Sequence, residues 1–150
     1  MAEYLTRDAV ESIALNTAIP FLDSIPCPNG NVFHNSGSGI FTLRGRGNNN
    51  FARYEIEFTG NIAIPTGGDV TPIATAIVVQ GESQQGSRAI VTPAAVDQYG
   101  NVTSRTIVDV PRCCCFTVSV EYVSGVTDGT TTPTPTINVI DGSLSITRIA

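Results

Sequence analysis

The sequence contains no lysine, no tryptophan and only one histidine, and each shortage narrows what the protein can do. A single histidine, His34, excludes a two-histidine zinc site and leaves no partner set for a histidine-based catalytic triad. No other nucleophile–base pair is apparent, and the absence of tryptophan argues against the aromatic platforms that carbohydrate-binding sites use. We therefore predict a protein that is not an enzyme and that holds no metal and no cofactor.

Charge is also scarce, since charged residues make up 14% of the chain against about 25% in an average soluble domain. All eight basic residues are arginine, the net charge is −5, and no basic run occurs, which argues against a nucleic-acid partner. No apolar stretch has transmembrane length, and the first ten residues lack the apolar core of a signal peptide. We expect synthesis in a cytoplasm, no membrane partner, and a charge-poor surface suited to burial in oligomers.

The remaining composition is typical of β-structure, with many Thr, Val and Ile residues between Gly- and Pro-containing turns. Residues 52–64 form the clearest predicted strand, because Tyr54, Ile56 and Phe58 share one face while Arg53, Glu55 and Glu57 share the other, which predicts half-burial. About nine such short strands predict an all-β sandwich or barrel. The length fits one domain, which we place at residues 12–150 after an N-terminal arm at residues 1–11.

Two further segments carry specific predictions about pairing. Ile73–Gln80 is apolar on both faces, so we expect both faces to be covered, and another subunit is one candidate for the second cover. Asp141-Gly142 stands between two apolar runs, which predicts a hairpin turn. Gly60 interrupts the alternating strand and predicts a β-bulge there.

Three of the four cysteines, Cys113–Cys115, are consecutive. In a predicted strand they point alternately to opposite faces and cannot converge on one metal within the chain. Cys114 shares the apolar face, so we predict that it is buried. Either Cys113 or Cys115 could form a disulfide with Cys27, or three symmetry copies could cluster around an axis. Reduced thiols are expected in a protein made in a cytoplasm.

Several short motifs resemble the globular heads of the tumour necrosis factor and complement families. They are Gly39–Leu43 (GIFTL), Tyr54–Phe58 (YEIEF), Asn61–Gly68 (NIAIPTGG) and the closing segment Ile137–Ile149. The resemblance implies a jelly-roll β-sandwich of nine to ten antiparallel strands that forms a homotrimer. In such trimers, apolar residues of one sheet pack around the threefold axis, and the candidates here for core and interface together are Ile56, Phe58, Ile77, Phe116 and Tyr122.

A narrower resemblance links NIAIPTGG, IVTPAAVDQYGNV and VPRCCCFTVSVE to small proteins encoded in prophages of gut Firmicutes. It implies a virion structural protein, namely a trimeric capsid decoration or head-fibre knob. The arm at residues 1–11 would then bind capsid or other virion proteins, and the loops at residues 93–100 and 124–135 would face outward. The alternatives are a host-surface or carbohydrate-binding module of a tail fibre, and a bacterial spore or cell-surface protein with the same head.

Overall fold

The protein is described by a computed structural model that gives the backbone of residues 2–5, 10–25 and 30–150, and the side chains from residue 10 onward within those ranges. The described residues form two antiparallel six-stranded sheets. Their one helical element is a 3-10 turn at Gln85–Ser87. No helix able to cross a membrane occurs in these ranges. The predicted all-β jelly-roll sandwich is confirmed.

Sheet A contains the longest strands and has the order β10-β6-β12-β1-β3, with β2 beside the first part of β12. Its members are β1 Ala2–Leu5, β2 Glu11–Ala14, β3 Asp23–Ile25, β6 Phe51–Ala63, β10 Gly100–Pro111 and β12 Thr136–Arg148. Residues 2–5 of the predicted arm therefore pair, as backbone, with β12 and β3 of their own chain. Residues 1 and 6–9 lie outside the described residues.

Sheet B packs against sheet A and has the order β4-β5-β11-β7-β8, with β9 beside the first part of β7. Its members are β4 Val32–His34, β5 Phe41–Arg44, β7 Ile73–Val79, β8 Glu82–Ser83, β9 Ala89–Val91 and β11 Cys115–Ser124. The core lies between the sheets, where alternate residues of the long strands point inward.

Among the side chains that the structure describes, two fully buried tyrosines donate their hydroxyls to backbone carbonyls. Tyr54 Oη donates to the Arg44 oxygen at 2.6 Å, and Tyr122 Oη donates to the Thr134 oxygen at 2.5 Å. Burial raises the pKa of Tyr122 to about 12. Each hydroxyl satisfies its hydrogen-bonding need inside the core, as buried polar groups must.

The predicted hairpin at Asp141-Gly142 is wrong. The strand β12 runs on through these residues, and its register against β6 changes from Ile140 opposite Asn61 to Ser143 opposite Thr59. One extra residue on β12 makes a β-bulge, with Asp141 at φ 54°. An Asp-Gly pair suits a bulge as well as a turn, because both need positive φ. The bulge predicted at Gly60 lies instead on β12, and β6 pairs regularly with β10 through Gly60.

The strand β7 is buried at all seven positions, as the sequence predicted. A second subunit is not needed for this burial, because it is complete within one chain. The outward side chains Ala74 and Ala76 are small, and β11 flanks the strand on one side while β8 and β9 flank the other. Between β8 and β9, the Ser87 hydroxyl accepts a hydrogen bond from Ile77 N–H at 2.9 Å, so this backbone group of β7 is also paired.

The two ends of the sandwich carry different connections. At the end that we call the cysteine end lie residues 45–50, the turn at residues 112–114 and the last residues of the chain. At the opposite end, the loop end, lie residues 64–72, 92–99 and 125–135, held together by contacts such as Asp97 N–H donating to Ile64 O at 2.8 Å. The two loops expected to face outward thus share one end.

The three consecutive cysteines occupy the turn and not the interior of a strand. The strand β11 begins at Cys115, Cys113 has φ 66°, and all three thiols are exposed. The predicted burial of Cys114 is wrong, because the turn between β10 and β11 breaks the alternation that would have aimed its side chain inward.

Candidate functional site

The residues predicted as core and interface together lie in the core of the single chain. Ile56, Phe58, Ile77 and Tyr122 have no exposed surface, and Phe116 is partly buried against the same core. They face the space between the sheets, so the first four have no surface to offer a neighbouring subunit. Any contact between copies must therefore use the outer faces, the edges or the ends of the sandwich.

The outer face of sheet A is mostly polar, and it is formed by the side chains of β6, β10 and β12 that alternate with the core. Arg105 Nη2 lies 3.1 Å from Glu55 Oε2, and Arg105 stands opposite Glu57 in the register of β10 and β6. Thr103 stands opposite Thr59. Glu55 and Glu57 are thus part of a charge ladder across neighbouring strands.

An apolar patch interrupts this polar face near the cysteine end. Its large side chains are half exposed: Ile107 at 53%, Ile149 at 47% and Phe51 at 38%. Pro111 stands opposite Phe51, and Ile149 N–H donates to the Arg53 oxygen, so these residues occupy adjacent strands. We call Phe51, Ile107, Pro111 and Ile149 the apolar patch. In the register Asp109 stands opposite Arg53, between Ile107 and Pro111 on β10, so the apolar side chains surround this polar pair. Interfaces commonly combine apolar side chains with polar groups in this way.

A bidentate ion pair lies within the apolar patch. Arg53 Nε and Nη2 donate to the two carboxylate oxygens of Asp109 at 2.7 and 2.9 Å. The Arg53 guanidinium carbon lies 5.0 Å from the centre of the Phe51 ring. Hydrogen bonding to Arg53 lowers the pKa of the Asp109 carboxyl, and the same contact raises the pKa of Arg53. The patch therefore contains charges that are already paired and that a neighbouring subunit would not have to neutralise.

The outer face of sheet B is the other surface through which copies of the chain could associate. It contains a concavity of about 200 Å³ lined by residues that include Ile40, Val78, Ser119 and Glu121. Partial burial raises the pKa of Glu121, and no described residue forms an ion pair with it. Covering this face would bury an unpaired carboxylate at considerable cost. Sheet A, with its paired charges, is the better surface for assembly.

The side chains that could bind a metal ion or act in catalysis do not converge on one site in the part of the chain that the structure describes. Within residues 10–25 and 30–150, no three His, Cys, Asp or Glu side chains approach closely enough to hold a metal ion. His34 stacks on Phe41 at 4.3 Å, and its Nε2 lies 2.7 Å from the Ser38 oxygen, which is a structural environment. Cys113 and Cys115 are free thiols, and Cys27 lies outside the described residues. The predicted disulfide with Cys27 stays a prediction.

At the loop end, Asp128 organises the segment that follows it. Its Oδ1 accepts from the N–H groups of Thr130 and Thr131, both at 2.9 Å, and its Oδ2 accepts from the Thr131 hydroxyl at 2.7 Å. These hydrogen bonds, led by the Thr131 backbone, lower the Asp128 pKa to about 2. A carboxylate that accepts several N–H bonds is strongly favoured over its protonated form.

We therefore expect this loop structure to persist as pH falls through the ordinary aspartate range. Because the folded pKa lies below the unfolded one, the stabilisation is complete above the unfolded pKa of 3.8 and is lost as pH falls through about 2. An NMR titration should show the Thr130 and Thr131 amide signals moving with a midpoint near 2. Asp128→Ala should remove that transition, and Asp69→Ala should leave it intact. A midpoint near 4 would contradict the loop geometry.

The chain resembles known proteins in its fold. No protein-family model and no curated protein matches the chain. Among solved structures it is similar to the globular domain of zebrafish complement 1qA (13% identity, 95% of this chain and 93% of that one, TM-score 0.57). It is also similar to Eiger TNF from S. frugiperda (7%, 100% and 92%, 0.61) and to murine APRIL (12%, 96% and 97%, 0.52).

These similarities extend over nearly the whole of each chain. Because the sequence identity is so low, they establish the fold alone. The chain is a jelly-roll β-sandwich with the fold of the TNF and complement-type globular domains. The short apolar motifs that carried the resemblance in the sequence lie in β5 and β6, at the end of β6 with its following turn, and in β12. Fold does not fix function, so the role of the protein rests on its surfaces.

Proposed function

We propose that the protein is a non-enzymatic homotrimer that sits on the surface of a phage virion as a capsid decoration or head-fibre knob. The main observation in favour of the homotrimer is the apolar patch on the otherwise polar outer face of sheet A. The resemblance of three segments to prophage-encoded proteins supports the virion as the setting. The fold supports the trimer, because the TNF and complement-type heads that the sequence resembles associate in threes.

The apolar patch is suited to repeated contact between identical copies. Ile107, Ile149 and Phe51 supply exposed apolar area, and the Arg53–Asp109 pair sets orientation without leaving an unpaired charge. In a cyclic trimer each patch would meet a different surface of the next copy, and the ring closes if the rotation between copies suits three subunits. Three weak attachments of such a trimer to a capsid would then act together and bind more tightly than one.

Attachment through residues 1–11 belongs to the same proposal. Because Ala2–Leu5 pairs between β12 and β3, this segment is not a free extended arm. Contact with the virion would then use the surface that β1 and β3 form at the edge of sheet A. The loops at residues 93–100 and 124–135 share the loop end, which we expect to face the surroundings.

The test is to purify phage particles from an induced lysogen that carries this gene and to measure the protein in them by quantitative mass spectrometry. We expect copy numbers comparable to the capsid protein for a decoration, with density on the head that disappears from cryo-EM maps of a deletion mutant. Density at the tail tip, with selective binding on a glycan array, would favour the tail-fibre alternative. Recovery from spores or cell envelopes, and absence from particles, would overturn the virion proposal.

A further inference from the structure

The turn at the cysteine end presents three thiols at once. Cys113, Cys114 and Cys115 are all exposed and free of bonds to one another, and they join β10 to β11. Cys115 is the first residue of β11 and stands opposite Arg44 of β5 in the register. Side chains that are directly opposite on antiparallel strands lie about 5 Å apart at Cβ. Arg44 is therefore the cross-strand neighbour of Cys115, and its guanidinium carbon lies 6.0 Å from the centre of the Phe33 ring on β4, the strand on the other side of β5.

The backbone holds a second arginine beside the same turn. Gly45 N–H donates to the Cys114 oxygen at 2.9 Å, and Cys113 N–H donates to the Gly45 oxygen at 3.0 Å. A Cβ on Gly45 would lie 1.9 Å from the Pro111 oxygen, so only glycine allows the two segments to come this close. The segment Arg44-Gly45-Arg46 is thus fixed against the cysteine turn.

Together these residues line a concavity of about 250 Å³ whose walls are Arg44, Gly45, Arg46 and the three cysteines. Arg112 precedes the first cysteine and is exposed. Among the described residues, no carboxylate forms an ion pair with Arg44, Arg46 or Arg112. On a chain of net charge −5, this places exposed thiols in a local positive field that attracts anions.

We propose that this concavity is a thiol–disulfide exchange site for small anionic disulfides of the glutathione class. The Cys115 thiolate attacks one sulfur of the small disulfide, the bond between its two sulfurs breaks, and a mixed disulfide with Cys115 forms. The other half leaves as a thiolate and takes up the proton that Cys115 released. One protein thiol is oxidised and one half of the small molecule is reduced, so no further oxidant is needed.

The geometry disfavours release of the bound half by the adjacent cysteine. Adjacent residues have Cα atoms 3.8 Å apart across a trans peptide, which is closer than the usual minimum of about 4.4 Å for a disulfide. Cys114 can therefore displace the small thiol from Cys115 only with strain. The carboxylates of the bound half can pair with Arg44 and Arg46, which offer bidentate guanidinium donors. The site lies at the end of sheet B, where the Pro111 oxygen of the apolar patch accepts from the Cys114 N–H at 3.0 Å.

The experiment measures the rate at which the reduced, purified full-length protein gains one small-thiol group, followed by intact mass without oxygen. Two probes are compared, glutathione disulfide, which is anionic, and hydroxyethyl disulfide, which is neutral. We expect the R44Q/R46Q double variant to react about fivefold more slowly with glutathione disulfide, the effect of losing two exposed ion pairs. Its rate with the neutral probe should not change, and R105Q, an arginine of sheet A, should match the wild type with both probes.

Peptide mapping locates the modification. Cys115→Ser should remove most of it, whereas Cys113→Ser and Cys114→Ser should retain it, and added salt should slow the anionic probe selectively. Equal slowing of both probes in R44Q/R46Q would show that the arginines do not recognise the anion and would overturn the proposal. So would modification located at Cys27, or disulfide-linked dimers in place of the mixed disulfide.

Discussion

Replacing Ile107 with aspartate should convert the proposed trimer to monomers without unfolding the chain. Ile107 lies in the apolar patch with half of its surface exposed, so a single folded chain tolerates a polar side chain there. In a trimer closed through the patch, the change would bury three carboxylates with no designed partner. Each buried charge left unpaired costs about 1–3 kcal/mol or more. Light scattering after size exclusion should give one third of the wild-type mass.

The matched control is Ile90→Asp. Ile90 is also an isoleucine in a strand, with 48% of its surface exposed, but it lies on β9 of sheet B. We expect this variant to keep the wild-type mass and a similar melting temperature. If Ile107→Asp also keeps the wild-type mass, or if Ile90→Asp dissociates the protein instead, the interface is not the apolar patch.

Replacing Phe58 with alanine should destabilise the fold more than any change on the surface. Phe58 is fully buried on β6, with its ring edge-to-face against Phe21 at a centroid distance of 6.3 Å. Loss of a buried phenylalanine costs about 3–5 kcal/mol, because transfer energy is lost and a cavity remains. For a domain of this size the melting temperature should fall by about 10 °C at a fixed protein concentration.

Phe33→Ala serves as the control for this change, since Phe33 has 49% of its surface exposed on β4. It should cost about 1 kcal/mol or less. Calorimetry or thermal circular dichroism measures both variants. A Phe58→Ala variant that melts with the wild type would mean that the two sheets do not pack as described.

Much of the fold could be predicted because the strands follow simple rules. In β6, every second residue is apolar, and these are the residues that face the core. The buried β7 was equally readable as an apolar run. Composition could not tell a turn from a bulge at Asp141-Gly142, because the distinction depends on whether β6 pairs with the segments on both sides, which is a long-range property.

The site was harder to predict than the fold. Apolar residues such as Ile56 and Phe58 were expected to serve core and interface together, yet in a sandwich the strongest apolar residues are the ones that the second sheet covers. The signal for the apolar patch was present in β10, where Ile107 stands in phase with the polar Thr103, Arg105 and Asp109. Its neighbours Phe51 and Ile149 come from distant parts of the sequence, and only the sheet register brings them together.

The exposed thiols and nearby arginines at the cysteine end could not be predicted from the sequence, because their arrangement also depends on long-range contacts. Strand alternation predicted that the three cysteines would separate, and it missed the turn that exposes all of them. The approach of Arg44 and Arg46 depends on Gly45 and on two backbone hydrogen bonds between segments about 70 residues apart. Such contacts leave no local pattern.

The most direct test of the account is the solution mass of the wild-type protein, measured by light scattering over a range of concentrations with reductant present. We predict a stable mass near three times the 15.8 kDa of one chain. Reductant excludes disulfide-linked copies, so the mass reports the non-covalent contact alone. A monomer at every concentration would contradict the trimer and would show that copies of the chain do not associate through the apolar patch.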